Sequence, residues 1–376
     1  MSEIHIVLPN DIDDPAAPSG GNVYDRRICR GLAASGWSVR EHAVRDDWPQ
    51  PGATGRANLA RVLAALPDES VVLVDGLIAS AVPDVLVPQS RRLRLVALVH
   101  MPLGDANAEL RRQERVALSV AVAVVTTSFW SSRRLLDLYG LRADRVHVAP
   151  PGVDAATLVP GSDSGAELLC VAAVTPLKGH DVLVEALATM PDMPWRCVCV
   201  GTLNRDPSFV DRLRRQTEAH GIADRISFVG PCAGRDLEAR FGAADLLVLA
   251  SRGETYGMVV TEALAHGTPV LATAANGLPE ALGRAPDGSL PGILVPPDDP
   301  AALADALRRW LGQSGLRRHL RRAARGRRTT LTGWAITSEL ISSVLVGIVG
   351  RNSDVTPYLD PARSRVLAFR QDGVHG

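Results

Sequence analysis

Lysine is all but absent from this 376-residue chain. Lys and Arg together number 41, and a single one of them, Lys178, is lysine. Arginine serves at every other basic position. A place that keeps lysine points to a need for a compact, flexible point charge instead of a planar fork. Neither sign of charge is in excess: Asp and Glu also number 41, and the formal net charge is zero. That balance argues against a nucleic-acid binder, whose phosphate contacts need a basic surplus. Arg111 with Arg112, and Arg133 with Arg134, lie on expected helices, where a solvated face accounts for them.

Long apolar runs are missing too. No stretch of ~18 uninterrupted apolar residues occurs, so no membrane-spanning helix is expected. The first residues lead straight into an apolar strand, without a basic start or a cleavage site, so no secretory signal is expected. Cysteine is scarce and odd in number, at five. Cys197 and Cys199 stand two apart on an expected strand and share one face. That reads as core packing and not as a CxxC metal pair. The expected setting is a reducing cytoplasm, with a peripheral position at the inner membrane face left open.

What is present is ordinary for a globular protein: 46% apolar and 22% charged residues. The length suits two domains, each with its own core. Short apolar runs predict strands over 4–8, 39–42, 71–74, 95–100, 121–126 and 146–149. A second set follows over 168–171, 197–200, 226–229, 246–250, 270–272 and 293–295. Amphipathic stretches predict helices over 23–34, 55–65, 108–119 and 131–139, then 180–189, 209–220, 235–242, 257–266, 300–311 and 316–327. Continuous apolar strands joined by helical crossovers mean parallel sheets covered on both faces. The fold class is therefore α/β, with two doubly wound, Rossmann-like domains. Ligands in such sheets sit beyond the carboxyl ends of the strands. The expected boundaries are a first domain over 1–155, a second over 156–332, a helix over 333–349 and a poorly ordered tail over 350–376.

Three segments carry candidate chemistry. Ser251-Arg252-Gly253-Glu254-Thr255-Tyr256-Gly257 follows one strand and opens a helix. The free N–H groups and partial positive charge of that helix N-terminus suit a diphosphate. Gly253 and Gly257 let the backbone come close. Glu262 lies eight residues after Glu254, about 12 Å if the whole interval is helical. It sits among apolar neighbours, where an unpartnered carboxylate is costly. Either ligand hydroxyls or a Glu262–His266 pair at i, i+4 would satisfy it. The second segment, Val174-Thr175-Pro176-Leu177-Lys178-Gly179, places Lys178 just before a helix, where its ammonium can meet a phosphate. The third, Asn276-Gly277-Leu278-Pro279-Glu280, reads as an ordinary helix start.

The first half offers less. Ser19-Gly20-Gly21-Asn22 joins the first strand to the first helix and lacks the GxGxxG dinucleotide pattern. It remains suited to an anion or an acceptor. His100 ends an apolar strand at the ligand edge and reads equally as structural or functional. Asp11-Ile12-Asp13 spells DxD but comes too early for a metal-nucleotide site.

Taken in order, these residues resemble family 4 glycosyltransferases of the GT-B fold, over residues 1 to about 345. The E-x7-E motif corresponds to Glu254 and Glu262. Lys178-Gly179 is similar to the family's KG loop, Pro151-Gly152-Val153-Asp154 to its inter-domain stretch, and Gly20-Gly21 to its N-terminal glycine pair. The resemblance implies two domains facing across a cleft and a retaining reaction without metal or cofactor. A hexose-type sugar would move from a nucleotide sugar to a sugar, glycoside or lipid-linked acceptor. Glu254 would contact the donor sugar and Glu262 the ribose. Lys178 would hold the diphosphate, and His100 would line the cleft as a third catalytic candidate. Arg252, Thr255, Tyr256 and Gly257 would complete the donor side, and Gly20 with Gly21 the acceptor or phosphate side. The last helix would return to the first domain. One departure stands out: the family's second diphosphate clamp, an arginine, is Ala173 here, with Arg252 or Arg205 as substitutes. A nucleotide-sugar epimerase and a non-catalytic nucleotide-binding paralogue remain as alternatives.

Overall fold

The computed structural model describes residues 2–14 and 19–350. Two six-stranded parallel sheets form the frame. The first holds β1 (Glu3–Pro9), β2 (Ser38–Val44), β3 (Val71–Asp75), β4 (Arg94–Val99), β5 (Ala123–Thr126) and β6 (Val146–Val148), in spatial order β2-β1-β3-β4-β5-β6. The second holds β7 (Glu167–Val171), β8 (Arg196–Val200), β9 (Ile226–Gly230), β10 (Leu246–Leu249), β11 (Val270–Thr273) and β12 (Gly292–Val295), in order β12-β11-β10-β7-β8-β9. All twelve expected strands are therefore present, and the α/β fold holds. The strands are continuous apolar runs because both faces are covered: β3, β5, β10 and β11 are buried at every residue.

Each order reverses direction once. In the first sheet the reversal lies between β1 and β3, and in the second between β7 and β10. At such a point the two crossovers leave on opposite faces, which opens a crevice at the carboxyl ends. The loops after β1, β3, β7 and β10 thus define where ligands fit. In or beside them stand Gly20 with Gly21, Asp75, Lys178 and Glu254.

Two short helices, Gly76–Ala79 and Pro83–Gln89, interrupt a region for which the sequence predicts no helix. Glycine and two prolines mask them: Pro83 occupies a first-turn position and Pro88 sits inside the second helix. The tail over 351–376 lies outside the described residues.

The last helix, Trp334–Gly350, lies against the helix Gly20–Ala34 of the first half. Its Ile341, Leu345 and Ile348 complete the core on one face of the first sheet, beside Ile28 and Leu32. Trp37 Nε1 donates to Ser342 Oγ at 2.8 Å. The chain thus passes between the halves twice, and the two passages are bonded to each other. Val153 N donates to Thr332 O at 3.0 Å, and Thr337 Oγ1 donates to Pro150 O at 2.8 Å.

Candidate functional site

The loop after β7 ends in a single 3₁₀ turn, Pro176–Lys178. Gly179 follows with φ +65°, and a Cβ there would stand 1.9 Å from Ala250 O. Only glycine lets this turn close against the end of β10. The turn delivers Lys178 to the loop after β10, where its Nζ donates to Glu254 Oε2. Both side chains are about one-fifth exposed, so the pair opens onto the cleft instead of closing into the core.

Arg252 braces that loop. Its Nη1 and Nη2 donate to the two carboxylate oxygens of Asp181, each at 2.9 Å. Its Nε donates to Asp298 at 2.5 Å, and Nη1 also reaches Pro176 O. Burial works against the charge on Asp181, but the hydrogen bonds and charge of Arg252 carry its carboxyl below the ordinary value. Four of the five guanidinium N–H groups have acceptors. Arg252 therefore holds the Lys178 turn in place and is not a loose cation awaiting a ligand. Arg205, exposed in the loop after β8, makes no hydrogen bond or ion pair with the described residues. Ala173 lies in the neighbouring loop, tied to it by Val174 N donating to Thr202 O at 3.0 Å.

The donor-side helix spans Met258–Ala265, with Gly257 at its start at φ +94° and no side-chain cap. A Cβ on Gly257 would stand 2.6 Å from Leu278 Cδ2. Because the helix begins at Met258, half the interval from Glu254 to Glu262 is loop, and the wholly helical spacing does not hold. Thr255 is half-buried, its carbonyl packed on Gly277. Tyr256 is 9% exposed, with its ring in the core of the second half. The sequence placed that residue with the donor, yet the core claims its ring because the chain must turn inward to start the helix.

Glu262 is half-buried, and its carboxylate has no hydrogen-bond partner among the described residues. His266 does not serve it: Nδ1 lies 3.0 Å from Thr157 O, and Nε2 lies 3.4 Å from Glu238. Desolvation, with the carboxylates of Asp154 and Glu238 nearby, pushes Glu262 up to about 7, while Arg27 acts against the rise. A ligand hydroxyl would supply what the helix does not.

The first half meets this site through Gly20 and Gly21. They begin the helix Gly20–Ala34 behind the Ser19 cap. A Cβ on Gly20 would lie 3.5 Å from Met258 Sδ across the cleft, and one on Gly21 would lie 3.4 Å from the His100 ring. His100 is clasped from behind. Its Nε2 is 2.7 Å from Asp25 Oδ1 and 3.4 Å from Asp75 Oδ2, both carboxylates being buried. Tyr24 meets the ring edge-on, with centroids 5.2 Å apart. Further along the cleft, Glu280 of the second half accepts from Phe129 N at 3.0 Å and Trp130 N at 3.2 Å. Those are the first N–H groups of the helix Phe129–Tyr139, so a side chain from one half caps a helix of the other.

Other candidates resolve as structure. Asp13 is bonded to Arg26, and Asp11 O accepts from Asn22, so the DxD segment is tied to the first helix. Arg111 donates to Gly104 O, while Arg112 pairs with Glu109 and Arg134 with Asp105. Arg133 lines a cavity of about 430 Å³ shared by Trp130 and Asn276, between the halves. Two clusters place three potential ligand atoms within 4.8 Å of one another: Cys170, His180 and Cys199, and the Asp25, Asp75 and His100 group. The first is fully buried, with Cys170 Sγ 3.7 Å from His180 Nε2. The second is a hydrogen-bonded triad, its imidazole occupying the space between the carboxylates.

Asp25 and Asp75 escape the sequence reading, and Glu280 enters it only as part of a helix start. Asp25 and Asp75 carried a signal: one interrupts the buried stripe of Tyr24, Ile28 and Leu32, and the other ends an otherwise apolar strand. Buried carboxylates at such places require partners. Glu280 carried none, because its partners are backbone groups about 150 residues away.

Two doubly wound α/β domains facing across a cleft are the architecture of the GT-B fold. The family match agrees. Residues 161–327 match the model of "Glycosyl transferases group 1". The chain is 32% identical over 384 aligned positions to a D-inositol 3-phosphate glycosyltransferase of Acidothermus cellulolyticus, covering 86% of this chain and 84% of that protein. Its fold is similar to that of the sucrose-phosphate synthase from Thermosynechococcus elongatus, at TM-score 0.76 and 22% identity over 93% of this chain and all of that one. It is also similar to Anabaena Alr3699/HepE, solved with UDP and glucose, at TM-score 0.74 and 19% identity over 92% of this chain and all of that one. The chain belongs to the group 1 glycosyltransferases. Among the described residues, no helix is long and apolar enough to cross a membrane.

Proposed function

We propose that this enzyme is a retaining hexosyltransferase that needs no metal, takes a nucleotide sugar as donor and acts in the cytoplasm. The carrying observation is the Lys178–Glu254 pair beside the uncapped start of the helix Met258–Ala265. On donor binding, Lys178 moves from Glu254 to the diphosphate, and Glu254 is released to accept from the sugar hydroxyls. Glu262 accepts from the ribose hydroxyls. The ammonium and the helix N-terminus together stabilise the charge that develops on the leaving diphosphate. Closure of the halves excludes water and limits donor hydrolysis. Five free cysteines fit a reducing compartment.

The names of the curated relatives make a phosphorylated cyclitol the first acceptor to try. The test is a thermal-shift screen with UDP, GDP and ADP sugars, followed by product NMR with D-inositol 3-phosphate. The expected result is a new glycoside with the donor's anomeric configuration. A new nucleotide sugar formed without acceptor would instead mark an epimerase. Nucleotide binding without turnover across a broad acceptor set would mark a binding paralogue.

A further inference from the structure

The Asp25–His100–Asp75 group has an unusual balance. One imidazole faces two buried carboxylates, 2% and 3% exposed, and its Nε2 is close to both. The carboxylates come from different elements, the helix Gly20–Ala34 and the end of β3, so the ring is held from two directions. Asp75 is fixed in turn by accepting from Leu77 N at 2.8 Å. The remaining neighbour on that side is the Tyr24 ring, whose hydroxyl is engaged elsewhere, donating to Ala149 O at 2.8 Å. Among the described residues, no second cation pairs with either carboxylate. His100 Nδ1 has no partner among the described residues and is not one of the fully buried unpaired atoms, and the side chain keeps 15% of its exposure. With Nε2 turned inward, Nδ1 is the ring nitrogen left unpaired on the opposite edge, while Gly21 adjoins the other side, where an added Cβ would stand 3.4 Å from Cδ2 and 3.8 Å from Nε2.

We propose that Asp25 and Asp75 are positioning residues that keep His100 as a fixed imidazolium, with its Nδ1–H aimed into the cleft as a donor to a phosphate oxygen. This rests on the reading of the cleft as a sugar-phosphate site. Burial pushes Asp25 up to about 7, with Asp75 adding to the rise and His100 pulling against it; once ionised the carboxylate only accepts hydrogen bonds, and Nε2 then carries the proton. A second negative charge beside it favours a proton on Nδ1 as well. Burial works against the imidazolium, but the charge and hydrogen bond of Asp25, with those of Asp75, push His100 up to about 10. Across the physiological range the ring is therefore a cation and a hydrogen-bond donor, not a base. A general base would need Nδ1 unprotonated near neutral pH. The two carboxylates prevent that, and they fix the ring plane so that the donated bond has one direction.

The test uses the full chain with ¹⁵N-labelled histidine, and His100→Gln to identify the ring signals among the nine histidines. In the native protein the His100 nitrogens are expected to keep imidazolium shifts from about pH 6 to 9, and in Asp25→Asn to titrate near the ordinary histidine value of about 6.5. Native titration near that ordinary value overturns the proposal, as does an Asp25→Asn ring that stays protonated throughout. If Asp25→Asn does not fold, Asp75→Asn gives the same comparison, and the native measurement stands by itself. A kinetic arm with UDP-glucose and D-inositol 3-phosphate separates positioning from bulk structure. Native kcat is expected to stay level over this range, whereas Asp25→Asn loses about tenfold in kcat above its lowered pKa, with donor KM little changed. An equal loss at all pH values would indicate a merely structural role and would overturn the proposal. Failure of every nucleotide sugar to bind would remove the functional reading instead, and the NMR result would still decide the state of His100.

Discussion

Glu262 and His266 stand four residues apart on adjoining turns, yet their side chains do not pair. His266 turns to the linker carbonyl of Thr157 and to Glu238, which leaves the Glu262 carboxylate with desolvation and like charges around it. The folded state holds a proton on Glu262 up to about 7, against an ordinary value of 4.5. Between those values the folded state binds more protons than the unfolded chain, so this group's contribution to stability is lost as pH rises. Glu262→Gln is expected to be more stable than the native protein at pH 8 by on the order of 1–3 kcal/mol, and nearly equal to it at pH 4.5. Chemical denaturation at the two pH values checks this. The same variant should bind nucleotide more weakly, since ribose hydroxyls are better held by a carboxylate than by an amide.

Lys178→Ala is expected to lower turnover by on the order of 10²–10³-fold, because one preorganised charge is removed from the leaving group. Its melting temperature should change little, since the ion pair with Glu254 is partly exposed and contributes roughly 0–1 kcal/mol. Full activity in this variant would remove the functional reading.

Arg252 and Arg205 should separate cleanly. Arg252→Ala breaks the bonds to Asp181, Asp298 and Pro176 O, and should cost on the order of 1–3 kcal/mol of stability. Arg205→Ala removes no bond within the described residues and should leave melting unchanged while raising donor KM several-fold. Calorimetry and initial-rate kinetics on the two variants distinguish brace from clamp. An Arg205→Ala enzyme with native KM rules out Arg205 as the second cation.

Glu280→Ala should loosen the two halves, because it removes a charged cap from the helix Phe129–Tyr139, a contact of roughly 0.5–2 kcal/mol. A larger radius of gyration without ligand, shrinking back with bound nucleotide sugar, is the expected scattering result. Glu280→Gln should recover only part of the contact, since an amide oxygen accepts less strongly than a carboxylate.

Much of this architecture was legible beforehand because it depends on local pattern. Twelve apolar runs gave twelve strands, and the loops after β7 and β10 were identifiable from Lys178-Gly179 and from Glu254 to Gly257. What escaped depends on distance through the fold. Asp25 and Asp75 sit 50 residues apart and meet only because β1 lies beside β3. Arg252 reads as a spare cation in sequence, whereas in the fold Asp181, in the first turn of the helix His180–Ala188, and Asp298, in the loop after β12, both accept from it. Tyr256 read as a ligand contact because a sequence does not say which way a loop residue turns. The spacing of about 12 Å from Glu254 to Glu262 applies only to a continuous helix, whereas Gly257 starts the helix midway, with a backbone that only glycine adopts easily.

The two passages of chain between the halves have a mechanical effect. A single strand of linker would let one half swing in any direction, and each turnover would search for the closed arrangement. Here Val153 is bonded to Thr332 and Pro150 to Thr337, so both passages must bend together at one place. In the proposed closure such a pair would favour rotation about one line, and each closing would bring Gly20 to Met258 with little entropy lost.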